Sequence, residues 1–155
     1  MKIVLLTMII ILLGQFTLAQ GYGVKQDFYP DSIPEGKLYD QDFWKEKSED
    51  LSKESEESPN DPMVLYKLAI AKSNVMSNDL TDVILLLDKA IEIDSTQAKF
   101  YAVRGIIKYD WGAYSPDYDI SEGCPDIRKS LEMGLEERLK TNEVIIGILN
   151  HPSCN

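Results

Sequence analysis

Two cysteines and one histidine are the residues of this 155-residue chain best equipped for covalent or metal chemistry. Cys124 lies in "EGCPDIRKSLEMG", Glu122 to Gly134, and His151 and Cys154 lie in "HPSCN". A thiolate nucleophile needs a positioned base and a third group to orient that base. His151 stands three residues before Cys154 but is flanked there by Pro152 and Ser153, in a tail with no frame to fix the pair. Catalysis is therefore not expected from them. A structural zinc site takes four ligands, and two cysteines with one histidine fall short. Cys124 is left as half of a disulfide with Cys154 or as a buried free thiol.

Carboxylates are the next candidates. "DYDISEGCPD" places Asp117, Asp119, Ser121, Glu122 and Asp126 in one stretch, which invites comparison with a calcium loop. The glycine comes one position late, at Gly123, and the twelfth position from Asp117 is Arg128, where a bidentate glutamate is required. A solvated acidic loop that caps the following helix is the competing expectation, and no metal site is assigned. No catalytic acid–base pair can be singled out from 26 acidic residues by sequence alone. The chain carries neither a glycine-rich phosphate loop nor a nucleophile elbow. Aromatic side chains remain: Tyr109, Trp111, Tyr114 and Tyr118 cluster in and around "AYSPDYDISEG". Aromatics on a loop held by a rigid frame make a common contact surface. The alternative is that Tyr109 is core and Trp111 folds over to bury itself. Arg104 and Asp126 are placed to pair between two helices, as a structural contact or as a polar element of a peptide groove.

These residues need elements to position them. "MKIVLLTMIIILLGQFTLAQ" has a lysine, an apolar run from Ile3 to Leu13 and a small-residue site ending at Ala19, the layout of a secretory signal peptide. The run is short for a membrane span of roughly 20 residues, so residues 1–19 are expected to be removed, an uncleaved inner-membrane anchor being the alternative. Loss of Lys2 would move the net charge from −10 to −11. So acidic a chain, without a basic cluster, is a poor match for nucleic acid or an anionic membrane surface. No Asn-x-Ser/Thr site is present. An exported bacterial protein, periplasmic or secreted and without stable membrane insertion, is the expectation. In that compartment two cysteines suggest one disulfide.

Residues 20–60 are expected to form a polar lead-in with a charged helix over Gln41 to Ser58, whose apolar edge is Phe43, Trp44 and Leu51. Residues 61–155 are expected to form a helical domain with a C-terminal capping helix. Asp61 and Pro62 open a helix that should run to about Met76. Asp79 is a candidate cap for the next, where Val83, Leu86, Leu87, Ala90 and Ile91 repeat at helical spacing. Ile84 and Leu85 make its other face apolar too, which predicts a helix sandwiched between neighbours. Ala98, Tyr101, Ala102, Gly105, Ile106 and Tyr109 form the stripe of a third, ending before a long loop. A fourth runs from about Gly123 to Met133 with Gly134 as its stop. Val144, Ile145, Ile148 and Leu149 mark the last. The fold class is all-α.

Set "LYKLAIAKSNVMSNDLTDVILLLDKAIEID" against "YAVRGIIKYDWGAYSPDYDISEGCPDIRKSLEMG". Leu65 matches Tyr101, Ala69 matches Gly105, Val83 matches Gly123, Leu87 matches Ile127 and Ala90 matches Ser130. Over about half the chain, Asp61 to Gly134, this resembles the tetratricopeptide repeat family. It departs by longer connections inside both units, and by Ser95 where a proline is usual. "GCPDIRKSLEMG" with a later Cys154 further resembles small exported bacterial proteins of this type, on Gly123, Cys124, Asp126, Ile127, Lys129, Ser130 and Gly134. The resemblance implies a short helix-hairpin solenoid of two repeats with capping helices. It also implies a non-catalytic scaffold or adaptor that binds a protein or peptide and needs no cofactor. A metal-dependent ligand-binding protein or enzyme using residues 109–123 is the alternative.

Overall fold

The computed structural model describes residues 27–75, 80–114 and 119–155, with only the backbone of Ala113 and Tyr114. The leader, Asp79, Asp117 and Tyr118 lie outside the described residues. Among those described, the chain is all-α, with no strand. Seven α-helices are described: α1 (Gln41–Glu57), α2 (Pro62–Ser73), α3 (Leu80–Ile93), α4 (Ala98–Tyr114), α5 (Cys124–Glu132), α6 (Glu137–Lys140) and α7 (Glu143–Asn150). Two 3-10 turns, Ile120–Gly123 and Pro152–Cys154, precede α5 and follow α7. None of the described helices is long and apolar enough to cross a membrane.

Local chemistry sets the helix ends. The Asp40 carboxylate accepts the Phe43 N–H at the start of α1, and Asp61 accepts those of Met63 and Val64 at the start of α2, where Pro62 takes the first position. Helix α2 stops at Ser73, short of Met76. The Asn74 side chain turns back to donate to the Ile70 carbonyl at 2.8 Å, which competes with a further turn. At the end of α5, Gly134 adopts φ +83°, Leu135 N–H bonds Ser130 O and Gly134 N–H bonds Leu131 O. That pair of bonds, with Leu135 buried behind it, is the left-handed glycine stop expected from the sequence.

From α1 to α5 each helix packs on its neighbour in the chain: α1 on α2, α2 on α3, α3 on α4, α4 on α5. Short connections make such neighbours antiparallel. Helix α7 closes the array against α4 and α5. One apolar core runs through the stack and includes Phe28, Tyr29, Trp44, Tyr66, Phe100, Ile127 and Ile148. Within α1 the apolar edge holds, with Trp44 and Leu51 buried.

Three expectations are corrected. Helix α3 packs between α2 and α4 with Val83, Leu87 and Ala90 fully buried, but its outer face is not covered as expected, and Leu85 keeps 59 % of its surface in water. Its outer face has a shallow groove beside Lys72 and Lys89 rather than a packing helix. Helix α4 does not end at Trp111 but continues to Tyr114, because Gly112 lets the returning chain approach. A Cβ there would lie 2.5 Å from the backbone nitrogen of Ile120. The helix over 123–133 is preceded by a 3-10 turn, and α5 itself begins at Cys124. The four-residue helix α6 carries no periodic signal and was not expected.

Candidate functional site

Of the residues singled out by type, Cys124, Cys154, His151 and Tyr109 come together where α4, α5 and the C-terminal tail meet. The glycines bring the helices there close together. A Cβ on Gly123 would sit 2.2 Å from the Gly105 carbonyl oxygen, and a Cβ on Gly105 would sit 2.8 Å from that of Gly123. Only glycine at both positions permits this approach. The crossing sets Cys124, the next residue, at the start of α5.

The sulfurs of Cys124 and Cys154 are at bonding distance, with Cα atoms 5.5 Å apart and both residues buried. In a bridged pair neither sulfur is a thiolate, so neither can attack or ligate. Arg128 of α5 donates to the Cys154 carbonyl, a second tie between helix and tail. His151 caps the tail turn, its Nδ1 accepting the Ser153 N–H at 3.2 Å. Its ring meets the edge of Tyr109 at 5.7 Å between centroids. The clip, the cap and the ring contact thus fix the tail against α4 and α5.

Tyr109 and Trp111 are on the last turns of α4, not on a loop, and both are half-buried. Burial, with Asp110 beside it, raises the Tyr109 hydroxyl above its ordinary pKa. Tyr114 belongs to the same helix by its backbone. The structure therefore brings Tyr109 to the tail, while Trp111 lies two residues further along the same helix end.

Two of the acidic residues, Asp119 and Asp126, are engaged by the chain itself. Asp119 accepts the Ser121 N–H, which lowers its pKa. Asp126 is buried and receives a two-pronged contact from Arg104, Nε to Oδ2 at 2.7 Å and Nη2 to Oδ1 at 2.6 Å. The expected Arg104–Asp126 pair is thus present, and it is part of a larger network. Arg104 Nη1 also reaches Asp88 of α3 at 2.7 Å, and Lys108 lies 3.4 Å from Asp126. Burial by itself would lower the Arg104 pKa. The hydrogen bonds and charges of Asp126 and Asp88 outweigh it, and the guanidinium holds its proton more firmly than an ordinary arginine. This seam stitches α3, α4 and α5 together. Asp88 and Lys108 could have been found only with the relative rotation of α3, α4 and α5 known. Among the described residues no group of three or more His, Cys, Asp or Glu side chains is placed to hold a metal ion.

Compared with protein-family models, with curated proteins and with solved structures, the chain matches none.

Proposed function

We propose that the chain is a non-catalytic scaffold of the tetratricopeptide type that binds a protein or peptide outside the cytoplasm. The observation that carries this reading is the sequential stacking of helices with small residues at a crossing, Gly105 against Gly123, at the positions the repeat pattern assigns. Such stacks present extended surfaces, and their residues serve contact rather than bond-making. The leader-like first 19 residues and the paired cysteines support export to a periplasmic or extracellular setting. The end of α4, with Tyr109 and Trp111, is the contact surface this reading assigns.

Capture from the exported fraction of the native source tests it. The wild-type chain is compared with a Tyr109→Ala/Trp111→Ala variant shown to keep its helical circular dichroism. A protein retained by the wild type and at least roughly tenfold depleted with the variant is the expected result, since truncating a binding hot spot costs about 2 kcal/mol or more. Equal retention by both would remove α4 from the binding surface.

A further inference from the structure

The outer face of α3 carries large apolar side chains that the fold does not bury. Leu85 keeps 59 % of its surface in water and Ile93 keeps 40 %. At about 100° per residue both fall on one stripe with Asp82, Leu86 and Lys89. Beside the stripe, toward the end of α2, lies an open groove of about 290 Å³ lined by Lys72, Asp82, Leu85, Leu86 and Lys89. The face therefore offers a projecting leucine with a recess next to it.

Its charges are placed symmetrically. Asp82 stands three residues before Leu85, and Lys89 stands three residues after Leu86. Both are thus roughly 5 Å along the helix axis from the midpoint of the two leucines. Both are exposed. A two-fold axis through that midpoint, with two α3 helices antiparallel, sets Asp82 of each copy opposite Lys89 of the other. An interface between identical subunits requires this self-complementarity, in which residue i meets j while j meets i. An outside helix of one charge sign would leave either Asp82 or Lys89 facing its like. We propose that the outer face of α3 is the interface of a homodimer, with Leu85 and Leu86 at the two-fold axis and Asp82 paired with Lys89 of the second copy. Each Leu85 seats in the groove of the other copy. This face is separate from Tyr109 and Trp111 at the end of α4, so the dimer can be tested whether or not the scaffold reading holds.

Specific interfaces bury about 800 Å² per partner. One helix face with a groove is at the small end, so the dissociation constant should be of micromolar order. The net charge of −10 on each chain opposes pairing at low salt. At about 0.15 M salt the screening length is about 8 Å, which mutes that overall repulsion and spares contacts inside the interface. Sedimentation velocity of the purified chain in that salt, from about 5 µM to about 500 µM, should show monomer passing into dimer. Leu85→Glu, at an exposed position, should weaken the dimer at least about tenfold. Asp82→Lys and Lys89→Glu each set like charges at both contacts, and each should weaken it about tenfold. An equimolar mixture of those two single variants sets lysine against glutamate at one contact and aspartate against lysine at the other. The mixture should dimerise as the wild type does. Helical circular dichroism checks that each variant is folded. A wild-type chain that stays monomeric throughout overturns the proposal, and if Leu85→Glu then releases a captured protein the face belongs to an outside partner. A Leu85→Glu dimer as tight as wild type overturns it, as do two charge variants that remain monomeric when mixed.

Discussion

Gly123, Gly134 and Gly147 are the same residue type with three different jobs, and alanine separates them. At Gly123 an added methyl collides with the Gly105 backbone, so the helices must part, and Gly123→Ala should cost about 3 kcal/mol. At Gly134 there is room, but φ is +83°, and Gly134→Ala should cost about 1 kcal/mol of backbone strain. Gly147 is helical, with nothing within 4 Å of a new Cβ, and Gly147→Ala should stabilise by about 0.5–1 kcal/mol. Urea unfolding of the three variants checks the order. Single residues also set the pH range. Asp40, Asp94 and Asp119 accept hydrogen bonds that lower their pKa below the ordinary 3.8, so the stability they lend is present above that value and is lost as pH falls through the lowered one. Burial raises Tyr66 and Tyr29 above the ordinary 10.0. The unfolded chain then releases their protons first, and stability falls as pH rises past 10.0 toward the raised values. Melting temperature against pH should therefore form a plateau with a falling limb on each side. A curve still climbing above pH 10 would contradict the burial of the two tyrosines.

The seam between α4 and α5 shows what an element can exchange. By the internal correspondence, Arg104 stands where α2 has Leu68, and Asp126 stands where α3 has Leu86. One hairpin has leucines at these positions, the other a largely buried ion pair. Removing one partner of such a pair leaves a charge stranded, and Asp126→Leu alone should cost about 2–3 kcal/mol, reduced from the fully buried case because Arg104 keeps Asp88 and some solvent. Arg104→Leu/Asp126→Leu together should cost less than Asp126→Leu alone. A double variant that loses as much as Asp126→Leu alone, or more, would mean that the ion pair stabilises beyond what leucines supply. The elements differ in how plainly sequence announced them. Helix α3 repeats its apolar residues every three or four positions, and α2 and α5 carry their caps and stop in Asp61, Pro62 and Gly134. The length of α4 was hidden, because Gly112 looks like a stop and serves a close approach to Ile120. Helix α6 is too short for a period. The face of α3 misled, since Leu85 is apolar and yet exposed. For the site, Arg104 with Asp126 was legible once the hairpin register was set. The Tyr109–His151 contact was not, because it depends on where the tail returns.

At the scale of the whole molecule, a stack of two hairpins leaves open ends that something must cover. Short repeat arrays gain stability mainly from neighbour interfaces. Here the lead-in packs on α1 and α2 and is tied to α6 and the start of α7, while α7 and its tail cover α4 and α5. The Cys124–Cys154 bridge spans 30 residues of sequence, a closure that in the chain-entropy model contributes about 3–4 kcal/mol. For a domain of this size that is a large part of the net stability. Placed there, the bridge acts as a clip on the last layer, not as the keystone of the stack. Residue-resolved hydrogen exchange with and without a thiol reductant checks this. Reduction should speed exchange in residues 120–127 and 143–154 and leave residues 62–73 and 83–93 protected. Uniform loss of protection, or no change anywhere, would contradict it.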